Sequence, residues 1–195
     1  MSGSPVLQGE GARLVEAARE VAERLVSPLG RRWDHVRGVA RRAEGLRAAV
    51  GGGASGDVLV AAAWVHDVGY APEIGRTRFH PLDGARYLRA ERFPEQVVRL
   101  VAHHSGARFE AAQRGLSAEL AAFELETSPV MDALVTADLT TTPSGEPCTY
   151  DQRIDEVLRR YEPDHPVHRT WLVAREELRP SVERTLARVG ESQPR

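Results

Sequence analysis

Hydrophobic residues recur at helical spacing through the first part of the chain. One apolar stripe comprises Leu14, Ala18, Val21 and Leu25, and a second comprises Val36, Val39, Ala43, Leu46 and Val50. Intervals of three and four residues place such side chains on one face of an α-helix. The glycine-rich segment 51–56 is expected to end the second helix.

The segment VLVAAAWV at 58–65 is the longest apolar stretch and fits two structures. Its three alanines favour a helix, capped by Ser55 or Asp57 and ended by Gly69. An unbroken apolar run is also typical of a buried strand. No segment with strand-like alternation lies nearby, so we predict a helix. The stretch is too short to span a bilayer.

Prolines and capping residues mark the helix boundaries of the second half. Pro81, Pro94 and Pro129 stand near expected helix starts, and Thr149 with Gln152 matches a capping box. The last helix is expected from about residue 167 to 189, with a kink at Pro180. We therefore predict an all-α fold of about eight helices.

The domain organisation follows from this pattern. We expect a single domain over residues 1–195, with a core at about 20–145. The helices of segment 149–189 are expected to pack on that core, and the tail 190–195 is expected to be disordered.

Composition narrows the class of protein without identifying an activity. The 195 residues are 42% hydrophobic and 28% charged, with a net charge of −2, so neither a nucleic acid nor a membrane is an expected partner. Every basic residue is arginine, which excludes a catalytic lysine. The single cysteine, Cys148, and the lack of a signal-peptide pattern at the start predict a cytoplasmic protein. The oligomeric state stays open.

Several potential metal ligands lie at predicted helix ends or beside apolar stripes. They are His35, His66, Asp67, His80, His103, His104 and Asp138. Each one alone has an ordinary interpretation, such as a hydrogen-bonded core histidine, a capping aspartate or a salt bridge to arginine. Together they indicate a shared divalent cation, because a buried carboxylate needs a strong partner. His165 and His168 are not accompanied by other candidate ligands, and we interpret them as residues of a loop and of a helix start.

The order His35, then His66-Asp67, then Asp138 resembles the H…HD…D signature of the HD superfamily of metal-dependent phosphohydrolases. The resemblance covers roughly residues 20–145. The flanking segments DHVRGVA, HPLDGARYL and VAHHSG are similar to the additional histidine positions of members that hold two metals.

This resemblance implies a specific ligand set and one or two divalent metals per chain. His35, His66, Asp67 and Asp138 would hold the first metal, and Asp67 would bridge to a second metal held by His80, His103 and His104. Imidazole and carboxylate ligands suit Fe, Mn, Co, Ni or Zn. Asp67 is accordingly the expected catalytic residue.

Three functions are compatible with these residues. The first is hydrolysis of a phosphate ester of a nucleotide or another small phosphorylated metabolite. The second is an HD-type diiron oxygenase that cleaves a C–C or C–P bond. The third is a non-catalytic metal-binding regulator.

The substrate contacts are less specific. Some HD families place a lysine where this chain has Tyr70, and Arg31, Arg32 or Arg37 are candidates for binding phosphate. Asp83 is either a partner of an imidazole, a proton shuttle or a first-turn acid. Trp33 belongs either to the core or to a pocket wall. The segment 106–120 is a candidate lid.

Overall fold

The computed structural model describes residues 5–192, with side chains described for residues 9–190. Over this range the chain is all-α, which confirms the predicted fold class. The helices are α1 (Pro5–Val26), α2 (Arg31–Gly45), α3 (Gly53–Val65), α4 (His80–Ala90), α5 (Glu95–His103), α6 (Ala107–Arg114), α7 (Ser117–Leu120), α8 (Pro129–Leu139), α9 (Tyr150–Arg160) and α10 (Pro166–Ser192). Short 3-10 turns occupy Ser27–Leu29, Arg47–Val50 and Val68–Tyr70.

Helix α3 forms the centre of the bundle and confirms the helical interpretation of segment 58–65. It contacts α1, α2, α5 and α8. Leu59, Val60 and Val65 are fully buried, as are the three alanines between them. A helix that is apolar around its whole circumference belongs in the interior of a bundle, and small alanine side chains let the neighbouring helices approach closely.

The start of α3 differs from the prediction. The helix begins at Gly53 without a side-chain cap, because Gly51 and Gly52 take positive φ angles of 84° and 65° and turn the chain early. Asp57 binds Arg47 at 2.7 Å instead of capping the helix. The second apolar stripe likewise ends in a 3-10 turn after α2 stops at Gly45.

Two further boundaries concern the second half. The capping box of Thr149 and Gln152 is present at the start of α9, as predicted. Segment 106–120 contains α6 and α7, which accounts for two helices beyond the expected number within the described residues. Helix α10 runs through Pro180 to Ser192, and residues 193–195 of the predicted disordered tail lie outside the described residues.

An ion-pair cluster fastens α10 to α8. Asp132 of α8 is buried and accepts hydrogen bonds from Arg184 at 2.7 and 2.9 Å and from Arg188 at 3.0 Å. Helix α10 also contacts α6 and α9. Within residues 5–192, no helix combines the length and apolarity needed to cross a bilayer.

We predict that Asp132→Ala lowers the free energy of unfolding by about 1–3 kcal/mol, because it leaves two guanidinium groups without their buried carboxylate. Asp151→Ala is the matched control, since Asp151 forms an exposed pair with Arg179 and should cost less than about 1 kcal/mol. Urea denaturation measures both values. Equal losses in the two variants would contradict a role for Asp132 in fastening α10.

Candidate metal centre

The ends of five helices bring six of the seven predicted ligands together. His35 comes from the first turns of α2, His80 begins α4, and Asp138 lies near the end of α8. The residues that directly follow α3 and α5 complete the set, namely His66, Asp67 and His104. All six side chains are at least four-fifths buried.

The ligand atoms form two compact groups. The first group is His35, His66 and Asp138, and the second is Asp67, His80 and His104. Within each group the nitrogen and oxygen atoms that could bind a metal lie within 4.8 Å of one another. Each group therefore has the donor number and spacing of a transition-metal site.

Asp67 faces both groups, with one carboxylate oxygen toward each. Its Oδ2 lies 3.4 Å from His66 Nε2 and 4.0 Å from His35 Nε2. Its Oδ1 lies 3.4 Å from His80 Nε2 and 3.9 Å from His104 Nε2. This arrangement is the one that the resemblance implied for a bridging carboxylate.

Backbone carbonyls orient three of the imidazoles. His66 Nδ1 donates to the Ala63 carbonyl at 2.7 Å, and His104 Nδ1 donates to the Val101 carbonyl at 2.6 Å. Both acceptors are last-turn carbonyls, which have no partner within their own helix. His35 Nδ1 donates to the Thr142 carbonyl at 3.0 Å. In each neutral ring this leaves the Nε2 lone pair pointing into the cluster.

The polar atoms of the cluster fit a divalent cation. Within the part of the chain that the structure describes, His66 Nε2 is buried and has no hydrogen-bond partner. Leaving such a buried nitrogen unpaired is costly, and a metal bond to the neutral ring would satisfy it. Imidazole nitrogens and carboxylate oxygens are also the donors that Zn, Mn, Fe, Co and Ni accept.

The pKa shifts of the cluster residues also favour a bound cation. Burial opposes the charge on Asp67, but His66 and Arg32 outweigh it and hold the pKa of Asp67 well below its usual range. Burial also opposes protonation of His66, but the Asp67 carboxylate outweighs it and raises the pKa of His66 to about 9. The buried carboxylates thus attract positive charge into the cluster, and a bound cation would displace the proton.

Two further contacts hold the carboxylates. Arg32 Nη1 donates to Asp67 Oδ2 at 2.7 Å, and the Ser105 hydroxyl donates to Asp138 Oδ2. Tyr70 stacks on His80 with 4.0 Å between the ring centroids, and the Arg32 guanidinium lies 4.0 Å from the Tyr70 ring. Tyr70, which stands where some HD families have a lysine, therefore contacts both Arg32 and His80.

Gly69 allows the turn after Asp67 to pass against α4. A Cβ atom at this position would lie 1.9 Å from the His80 carbonyl oxygen and 2.8 Å from the Gly84 nitrogen. Because both atoms belong to the backbone, neither can move aside without shifting the start of α4. The glycine is therefore required to place His80 opposite Asp67.

His103 lies outside both ligand groups. Its Nε2 hydrogen-bonds to the Phe123 carbonyl at 2.7 Å, and its side chain lines a separate cavity beside Leu120. Helix α5 ends at His103, and His104 turns into an extended conformation with ψ of 154°. The two adjacent side chains consequently face different surroundings, and we leave His103 out of the ligand set.

The other candidate residues also have defined positions. Asp83 accepts hydrogen bonds from the backbone of Arg76 and Thr77 and from the Thr77 hydroxyl, so it fixes the loop before α4. Among the described residues, no hydrogen bond or ion pair joins it to an imidazole. Arg37 pairs with Asp34, and Trp33 packs against Trp64 with a centroid separation of 5.8 Å. Of the candidate phosphate-binding arginines, Arg32 contacts a predicted metal ligand, namely Asp67.

A cavity of about 370 Å³ opens onto the cluster. Its lining also includes residues of α6, α9 and the segment around the start of α10, among them Arg114, Arg153, Arg160 and His165. The candidate lid at 106–120 forms a helical wall, since Ala107 and Ala111 are buried and α6 packs against α10. One sequence pattern indicates that these arginines lie together. Arg153, Val157 and Arg160 are spaced by four and three residues and so share a helix face.

The chain matches a known protein family. The model of the HD domain matches residues 32–137, a span that includes His35, His66 and Asp67 and stops one residue before Asp138. No curated protein and no solved structure matches the chain.

We predict that Gly69→Ala lowers the free energy of unfolding by about 3 kcal/mol, because the added methyl group collides with the backbone of α4. Gly45→Ala is the matched control, since a Cβ there would meet no atom within 4 Å. It should leave stability unchanged or slightly higher, because alanine favours a helix. Thermal unfolding compares the two. A Gly69→Ala protein as stable as Gly45→Ala would contradict the tight contact.

We predict that His104→Ala removes about half of the bound metal or more, whereas His103→Ala keeps the metal content of the unchanged protein. The two substitutions are identical and adjacent, but only His104 faces Asp67. Elemental analysis of anaerobically purified proteins measures the outcome. Equal metal loss in the two variants, or loss in His103→Ala alone, would contradict the ligand groups.

Proposed function

The chain belongs to the HD-domain family, a superfamily of metal-dependent phosphohydrolase type, and on this basis we propose that it is itself a phosphohydrolase. Its substrate would be a phosphate ester of a nucleotide or another small phosphorylated metabolite. The observation that carries this proposal is the position of Asp67, whose two oxygens each face a separate group of ligands.

The ligand set would divide around Asp67. His35, His66 and Asp138 would hold one metal, and His80 and His104 would hold the other, with Asp67 shared between them. Divalent metal ions in such a site supply Lewis acidity, which lowers the pKa of a water molecule and neutralises phosphoryl oxygens. The imidazoles are held for this task in advance by their carbonyl partners.

Arg32 combines two roles in this proposal. Its Nη1 donates to Asp67 Oδ2 and fixes the orientation of the carboxylate. The guanidinium also lines the cavity, and a guanidinium has five N–H donors. The donors that Asp67 leaves free can bind the oxygens of a phosphoryl group next to the cluster, where charge-assisted hydrogen bonds are strongest.

The cavity supports a phosphorylated ligand. Arginines on α2, α6 and α9 line it. Among the described lining residues, the acidic ones are the two aspartates of the cluster and Glu110. Glu110 is paired with Arg114 at 2.6 Å. The excess of guanidinium groups favours an anion beside the cluster.

We predict that Asp67→Asn lowers phosphate release by at least about 100-fold and lowers the metal content, because the shared ligand is lost. Asp155→Asn is the matched control, since Asp155 is exposed on α9. Release of inorganic phosphate is measured over a panel of nucleotides and sugar phosphates, without dioxygen.

Two results would contradict the proposal. Full metal content with no phosphate release across the panel would remove the hydrolase assignment and leave the metal site intact. Turnover that requires both iron and dioxygen would instead assign the chain to the HD-type oxygenases.

A further inference from the structure

A second cavity of about 270 Å³ adjoins the metal centre. It is lined by Arg31, Arg32, His35, Pro143, Arg153 and Arg160. Arg32, His35, Arg153 and Arg160 line the first cavity as well, so the two spaces are continuous beside the cluster. Four of the six lining residues are therefore arginines, supplied by two separate helices, α2 and α9.

These arginines exceed the carboxylates that neutralise them. Arg153 and Arg160 both pair with the same residue, Glu156. Arg32 pairs with Asp67, which the metal centre also uses. Arg31 has no acidic partner among the described residues. The cavity thus holds more positive charge than its own residues balance, which favours a bound anion.

Arg153 provides an independent sign of a missing partner. Its side chain is only 10% exposed, and its Nε is buried without a hydrogen-bond partner in the described part of the chain. A buried guanidinium N–H that bonds to nothing is costly, so such a group is usually paired. An anion in the cavity would accept this hydrogen bond.

The arginines stand on a fixed surface. Arg153 and Arg160 lie on one face of α9, with the buried Val157 between them. The helix is capped by Thr149 at one end, and the Tyr150 hydroxyl donates to the Arg175 carbonyl of α10 at 2.6 Å. Because α9 is held in this way, the distance from its guanidinium groups to the metal centre is fixed. Two anions bound at these two places would therefore lie at a defined separation.

We propose that this arginine cavity binds a second phosphate group of the substrate, separate from the phosphoryl group at the metal centre. The substrate is then a compound with two phosphate groups on one small scaffold, and a simple monoester fills only half of the site. The assignment of the first group rests on the function proposed above, whereas the second rests on the arginines.

Binding of linear bisphosphonates tests the proposal, because their C–P bonds resist hydrolysis. Titration calorimetry compares α,ω-alkane bisphosphonates of increasing chain length with the alkyl monophosphonate of each length, on the protein as purified with its metal. The best-matched bisphosphonate should bind about tenfold more tightly than its monophosphonate. Arg153→Gln and Arg160→Gln should each weaken binding of the bisphosphonate more than binding of the monophosphonate, and so reduce this ratio toward one.

Arg159→Gln is the matched control. Arg159 lies on the same helix, is exposed, and donates through Nε to the Asp155 carbonyl, so its substitution should keep the ratio. Arg160 is also exposed, so Arg160→Gln tests the cavity even if replacing the buried Arg153 impairs folding.

Three results would overturn the proposal. They are a ratio within about twofold of one at every chain length, a ratio that survives Arg160→Gln, and an equal loss in Arg159→Gln. The function proposed above fails separately. A preserved ratio without phosphate release supports the arginine cavity and removes the hydrolase assignment, whereas phosphate release without the ratio does the reverse.

Discussion

A buried carboxylate is costly unless strong partners surround it, and the structure depends on how this cost is met at Asp67. Asp67 is 2% exposed and faces imidazoles on both of its oxygens, with Arg32 as its only guanidinium partner among the described residues. In the protein without metal, a protonated His66 has to join Arg32 in neutralising this carboxylate and the buried Asp138. A divalent cation would displace that proton and bond to the Nε2 of His66, which otherwise has no hydrogen-bond partner among the described residues.

The partners of the buried carboxylates are placed at helix ends rather than in helix interiors. A helix end leaves backbone carbonyls free, and the same device appears twice, where the imidazoles of His66 and His104 donate to the carbonyl three residues earlier. The ring direction is thus set by the backbone and needs no further side chain. Gly69 completes the arrangement by letting the turn after Asp67 touch the start of α4.

Local patterns in the sequence predicted the helical core, and the resemblance to HD proteins supplied most of the candidate metal centre. Periodicity located α1 and α2, an alanine-rich apolar run located α3, and the order of histidines and aspartates predicted six residues that the structure brings together. It could not separate His103 from His104, since the chain direction after α5 decides which side chain turns inward. Nor could it place Arg153 and Arg160 beside the cluster, because that contact depends on how α9 packs more than a hundred residues after His35.

The most direct test is elemental analysis of the anaerobically purified chain, combined with titration of the stripped protein with Mn²⁺, Fe²⁺ or Zn²⁺. We predict about two divalent ions per chain, one for each ligand group. A folded protein that carries no metal and binds none on titration would contradict it, because the buried carboxylates and imidazoles would then need no cation.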